Sequence, residues 1–391
     1  MRIEVQRVLQ RFRRLPVVLA PMAGVSTPRL VAAICNEGAT GIHAGGFRSV
    51  MQLAQDIDEI RSLLGEEHQH AFGVNLMVPP EGENGGVDDA YSKLELAQQI
   101  ERARVSVLPF YQRAQGASVV VPTPKVTPSC YKEQVDLCLD KGVPVVTFVF
   151  GRVKPSEIKR LQDGGCVVMG TATSVEEAIL LRQDGVDAIF AQGAEAGGHR
   201  GSFLRGIHLV GTMSLVPQIV DAVYPLPVIA AGGIADGRGV TAARALGASA
   251  SAIGTAFLTS NESEAQPLHK REILRKDRSE TDTIVTDVFT GKAARGFCND
   301  FVSQYRPHNS NQQFDRITQG DMPVDITRIR GEQSNVAPYP IQQALTNPLK
   351  QFCIAHNDPT LISMWCGQSF RLATDNKVSR IIEEIKDKLR L

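Results

Sequence analysis

The chain has 391 residues, 43% of them hydrophobic and 21% charged, with 34 glycines and 21 prolines, a balance that excludes disordered and collagen-like classes. Lys plus Arg and Asp plus Glu each total 42, for a formal net charge of zero, so the basic footprint of a nucleic-acid-binding protein is missing. The length suits a (β/α)8 barrel of about 250 residues with an addition, or two to three smaller domains.

The opening segment, MRIEVQRVLQRFRR, places Val5, Val8, Leu9 and Phe12 on one face of a short amphipathic helix, predicted to close the bottom of the fold built by the rest of the chain. Glu4 and the lack of serine argue against a transit peptide. From residue 16 onward, short β-branched runs alternate with longer helical patterns. The runs are 17–22, 40–45, 71–78, 118–122, 143–151, 166–172, 186–193, 227–233 and 249–255. Helices are predicted over 27–37, 49–64, 129–141, 155–162, 174–183, 212–223 and 236–246. Thr27-Pro28 and Lys154-Pro155 put proline in a first turn, and Ser174 with Glu177 reads as a capping box.

Most of the runs are continuously apolar, as parallel strands buried on both faces must be. The run 118–122, followed by PTPKVTP, is the weakest and reads as part of an insertion, which leaves eight strands for a closed barrel. An open doubly wound sheet uses the same repeat but usually carries its phosphate glycines after the first strand. Here the glycine pairs come late. Beyond 257 the rhythm stops: 262–276 and 295–305 look helical, 281–289 strand-like, and 308–340 has no clear period. Residues 376–391 form an amphipathic pattern through Val378, Ile381, Ile382, Ile385 and Leu389, the expected last barrel helix. The expected fold class is therefore α/β, a TIM barrel over 1–257 plus 375–391 with a smaller lid or substrate domain over 258–374.

The seven cysteines are scattered, without zinc spacing or a disulfide framework, which suits a reducing compartment. No apolar run reaches the ~18 residues of a membrane helix and no cleavable leader opens the chain. A cytoplasmic protein without membrane, nucleic-acid or metal partners is expected, its oligomeric state left open.

A barrel carries its chemistry where the strands end. The seventh strand ends in Ala231-Gly232-Gly233-Ile234 and the eighth in Gly254-Thr255, the two loops where barrels hold phosphate; glycine admits backbone N–H groups to the anion and Thr255 adds a hydroxyl. The sixth strand runs into AEAGGHRG, where His199 is the acid/base candidate. Gln192 ends that strand and Asn75 lies in 71–78; amides suit the polar edge of a heterocycle, or else satisfy neighbouring backbone. Pro21-Met22-Ala23-Gly24 offers a small apolar surface for a ring. The histidines at 43, 208, 269, 308 and 356 read as surface or core residues.

At these strand ends the chain resembles the class I nitronate monooxygenases. The likeness runs through LAPMAGVSTPRLVAAICNEGATG, FGVNL, MGTATSVEEA, GVDAIFAQGAEAGGHRGSF and VIAAGGIADGRGVTAARALGASASAIGTAFLTSNESEA, and extends to TGKAARGF and MWCGQ. The resemblance implies an FMN enzyme that oxidises anionic alkyl nitronates, such as propionate 3-nitronate, with O2 to a carbonyl compound plus nitrite or nitrate. It implies phosphate contacts from Gly232, Gly233, Gly254 and Thr255, with Ala252 and Ile253 leading into them. It further implies ring contacts from Met22, Ala23, Gly24, Asn75, Gln192 and Gly197, and His199 as the base or nitronate-binding group. Val149 stands where many class I members carry histidine, and Tyr339 and Lys350 are further pocket candidates. The alternative is an NAD(P)H-dependent flavin reductase, acting on an enoyl thioester or a quinone, on the same barrel; a flavin-binding protein without turnover is the non-enzymatic competitor.

Overall fold

The computed structural model describes residues 3–79, 93–127, 129–204, 206–305 and 335–389. The chain divides into two compact units, one of 1–79, 129–280 and 366–391, the other of 80–128 and 281–365.

The first unit is a closed barrel of eight parallel strands: β1 (Val17–Leu19), β2 (Thr40–Ala44), β3 (Phe72–Met77), β4 (Val145–Val149), β5 (Val167–Ala172), β6 (Ala188–Gln192), β7 (Val228–Ala231) and β8 (Ala250–Ile253). They pair in chain order, and the ring shuts where Val17 faces Ser251 and Leu19 faces Ile253. Apolar side chains pointing both inward and outward explain the continuous runs, because one face fills the barrel and the other meets helices. The run 118–122 forms no strand.

After α1 (Ile3–Arg14), each of β1–β7 is followed in the unit by one barrel helix, α2 (Pro28–Asn36), α3 (Val50–Leu63), α4 (Tyr131–Asp140), α5 (Pro155–Asp163), α6 (Val175–Asp184), α7 (Thr212–Val223) and α8 (Gly237–Ala245), and β8 by two short helices, Thr255–Leu258 and Pro267–Leu274, before α9 (Val378–Asp387). Helix α9 packs on α8 and α2 as the eighth barrel helix. A Cβ on Gly237 would strike the backbone carbonyl of Ile385, so the glycine sets how closely α8 and α9 approach. Helix α1 acts as a plug. Its Val5, Val8 and Phe12 join Val18, Ile42, Val145, Val167, Phe190 and Ile229 in one buried cluster.

Within β2, His43 is a core histidine. Its Nε2 lies 3.0 Å from the Asp56 carboxylate and its Nδ1 2.8 Å from the Ser26 carbonyl, while Arg48 grips Asp56 through two bonds of 2.6 and 2.7 Å. Burial opposes ionisation of Asp56, but the hydrogen bonds from His43 and Arg48 outweigh it and hold the carboxyl at about 2.

The second unit contains a helix over Lys93–Gln115, one over Ile341–Ala355, and an antiparallel hairpin of Thr283–Thr286 with Ala294–Phe297. The two helices pack together, and the Tyr111 hydroxyl donates to the Leu345 carbonyl at 2.7 Å. Phe301 stacks on Phe289 with ring centroids 4.7 Å apart and meets Phe110 at a tilt with centroids 4.4 Å apart, and Trp365 meets Phe289 edge-on. The expected helix over 295–305 is instead a strand and then a short helix, Asp300–Gln304. Most of 308–340 lies outside the described residues. None of the seven cysteines forms a disulfide, and no described helix is long and apolar enough to cross a membrane.

Two outcomes are expected from this packing. Phe12→Ala empties the plug and is expected to lower unfolding stability in urea by about 3–5 kcal/mol, whereas Arg7→Ala on the exposed side of α1 is expected to stay within about 0.5 kcal/mol; equal effects would refute the plug. The stability that Asp56 contributes is complete above roughly pH 4, where the carboxyl is ionised in the unfolded chain too, and is lost as pH falls through its folded value. Thermal unfolding between those limits is expected to fall more steeply for the wild type than for Asp56→Asn; parallel curves would count against the ion cluster.

Candidate active site

The loop after β6 is built around Gln192. Its Oε1 accepts from the Gly201 N–H at 2.8 Å and its Nε2 donates to the His199 carbonyl at 3.0 Å, so one amide closes the turn that carries the imidazole. Arg200, 1% exposed, lies beneath this turn. Its Nη1 donates to the Gly193 carbonyl at 2.6 Å, and its Nη2 to the Gln192 and His208 carbonyls at 2.8 and 3.3 Å. The far side of the loop is pinned by Glu177 of α6, whose side chain is fully buried. One oxygen accepts from the Thr173 N–H and hydroxyl at 2.6 and 2.8 Å, the other from the Phe203 and Leu204 N–H groups at 2.7 and 3.0 Å. Ser174 caps α6 as expected, but the Glu177 side chain passes Ser174 to reach these partners, so the expected capping box is only half formed.

His199 is half-buried, with the Phe150 ring edge-on at 5.8 Å between centroids. Phe150 holds φ at +75°, a conformation costly for a non-glycine residue and characteristic of functional strand ends. A Cβ at Gly201 would come within 2.6 Å of Thr171 and 3.3 Å of Val149, so the loop lies directly on the ends of β4 and β5.

Glu195 decides where an anion can go. Both its oxygens accept from the Thr212 N–H at 2.9 Å, and the Thr212 hydroxyl lies 2.8 Å from Glu195 and 2.9 Å from the Gly232 carbonyl. The first turn of α7 thus already holds a carboxylate of the chain itself, which satisfies its dipole. The open donors are elsewhere. Gly232 and Gly233 have φ of +110° and +72°, and the N–H groups of Gly233 and Ile234 meet no acceptor among the described residues. A Cβ on Gly232 would lie 2.9 Å from the Ala196 nitrogen. Thr255 accepts the Gly367 N–H at 3.0 Å, which leaves the hydroxyl proton for another oxygen. The N–H groups of Gly233 and Ile234, in a turn of positive-φ glycines, and the hydroxyl proton of Thr255 are donors of the kind a phosphate group takes.

The remaining expected residues divide. Met22 begins a tight turn, its N–H donating to the Ser26 hydroxyl at 2.7 Å, with Gly24 at φ +70°. A Cβ on Gly254 would be 3.4 Å from the Met22 sulfur, so the ends of β1 and β8 meet. Ala23 lies in the same turn, and Ala252 and Ile253 are buried within β8. Gly197 serves the protein's own packing: a Cβ there would fall 2.5 Å from both the Cys366 carbonyl carbon and the Gly367 nitrogen. Asn75 joins β3 to β4 by donating to the Thr147 hydroxyl at 2.8 Å, and its carbonyl oxygen accepts nothing among the described residues. Tyr339 and Lys350 belong to the second unit, where burial pushes the phenol up to about 12 and the ammonium down. Sequence reading missed Glu177, Glu195, Arg200, Phe150 and the segment 366–369. Charged residues within a glycine-rich loop were the available signal for two of them.

The nitronate monooxygenase profile matches residues 7–387. A probable nitronate monooxygenase of Staphylococcus aureus strain MSSA476 is 41% identical over 374 residues, 95% of this chain and 93% of the relative. Among solved structures, a nitroalkane oxidase from Streptomyces ansochromogenes superposes with a TM-score of 0.79 at 30% identity, covering 98% and 97% of the two chains. FabK from Thermotoga maritima does so at 0.68 and 28%, covering 100% and 96%. The chain therefore belongs to the nitronate monooxygenase family, which makes it an oxidoreductase and implies a flavin cofactor.

Proposed function

We propose that this protein is a cytoplasmic FMN-dependent nitronate monooxygenase that oxidises alkyl nitronates, such as propionate 3-nitronate, with O2 to a carbonyl compound plus nitrite or nitrate. The observation that carries this reading is the imidazole of His199, on a turn that Gln192 and Arg200 fix to the end of β6. A bound FMN supplies the redox chemistry. The chain supplies position and charge. Gly232, Gly233, Gly254 and Thr255 hold the phosphate. Met22, Ala23, Gly24 and Asn75 hold the ring, with Gln192 and Gly197 beside it and Ala252 and Ile253 carrying the phosphate loop. Beyond the bonds that close its loop, Gln192 keeps one amide hydrogen and one lone pair for a ring edge.

His199 acts on the substrate in one of two ways. As imidazolium it pairs with the nitronate oxygens, and as neutral imidazole it takes the α-proton of a nitroalkane onto a ring nitrogen. Phe150 limits the imidazole's rotation from one side. Choice of substrate is assigned to the lid expected over 258–374. The likeness to FabK is compatible with the second reading, an NAD(P)H-dependent flavin reductase.

Oxygen uptake and nitrite release with propionate 3-nitronate test the proposal. His199→Asn is expected to retain its FMN content and to lose at least its turnover of nitroalkanes, by about a hundredfold or more in kcat/KM. Full activity of this variant on both nitronate and nitroalkane would remove His199 from the mechanism.

A further inference from the structure

Residues 366–369 stand outside every group so far assigned to a ligand, yet they touch three strand-end loops of the first unit. The Gly367 N–H donates to Thr255 Oγ1 at 3.0 Å, after β8. The Ser369 hydroxyl donates to the Gly233 carbonyl at 2.7 Å, after β7. The Gln368 N–H donates to the Glu195 carbonyl at 3.0 Å, in the loop after β6. Glycine is required on both sides of this junction: a Cβ on Gly367 would lie 2.9 Å from the Glu195 carbonyl, and one on Gly197 2.5 Å from the Gly367 nitrogen.

We propose that 366–369 is a strap that presets the anion-binding loops for the terminal phosphate of a flavin mononucleotide, with Gly367 and Ser369 as positioning residues. The proposal rests on the FMN reading of the site. Two consequences of the bonding make the case. A hydroxyl has one proton, and because a Thr255 lone pair takes the Gly367 N–H, that proton is directed elsewhere. In a trans peptide the carbonyl and the following N–H point in opposite directions. Anchoring the Gly233 carbonyl on Ser369 therefore fixes the Ile234 N–H away from the strap, and this N–H meets no acceptor among the described residues. The strap thus orients one hydroxyl proton and one backbone N–H without itself needing to touch the phosphate.

The test compares two ligands that differ only in that phosphate. The full chain, freed of flavin, is titrated with FMN and with riboflavin, and binding is read from flavin fluorescence. Ser369→Ala is expected to weaken FMN about five- to tenfold, the loss of one oriented hydrogen bond, and to leave riboflavin unchanged. Ser369→Thr, which keeps the hydroxyl, is expected to restore FMN to within about twofold of wild type. Should the alanine variant fail to fold by circular dichroism, Ser369→Cys keeps the volume, weakens the donor and carries the same expectation. Equal weakening of both ligands, or weakening of neither, overturns the strap. A wild type that binds riboflavin as tightly as FMN overturns instead the FMN reading beneath it.

Discussion

The backbone of the β6 loop meets that of 366–367 at a separation that leaves no room for a side chain at Gly197. This contact joins the last segment before the final barrel helix to the loop that carries His199. Through Glu195 the same segment holds the β6 loop a second time, and through Gly233 and Thr255 it fixes the ends of β7 and β8. A closed barrel gives rigid strands but leaves its loops free. Here that freedom is reduced by a few short contacts, of backbone at Gly197 and Glu195 and of hydroxyl groups at Thr255 and Ser369, which tie the loops after β6, β7 and β8 to one segment.

Electrostatics follows from the same arrangement. Glu195 occupies the first turn of α7, and Glu177 takes four donors in a fully buried position. The Arg200 guanidinium faces the carbonyls of Gln192, Gly193 and His208. Buried charges that accept or donate this many hydrogen bonds hold a loop in one conformation, and removing either partner exposes the uncompensated desolvation of the other. They are positioning groups. Beside them stands a cradle of backbone N–H groups at Gly233 and Ile234 and one hydroxyl proton at Thr255, which suits a dianion better than a neutral ligand.

The barrel was legible because its strands are continuously apolar and its helices begin at recognisable caps such as Thr27-Pro28. The plug helix and α9 were legible from their apolar stripes. The helix over Lys93–Gln115 was not, since its mixed polar sequence and internal Pro109 give a weak period. The helix over Ile341–Ala355, interrupted by Pro348, escaped for a similar reason. Within the site, sequence drew attention to the residue types that chemistry favours: the glycine pairs, His199 and the two amides. It was blind to long-range contacts. Nothing local to Gly197 shows that its missing side chain makes room for residue 367, and Glu177 carries the pattern of a helix cap while its carboxylate serves the loop at 203–204.

The assignment as a nitronate monooxygenase is tested most directly by the anaerobic absorbance spectrum of the purified protein, taken before and after propionate 3-nitronate and, on a separate sample, NADPH. The expected result is a flavin spectrum that changes on adding the nitronate and does not respond to NADPH. Rapid bleaching by NADPH with no response to the nitronate would contradict it and make the protein a reductase.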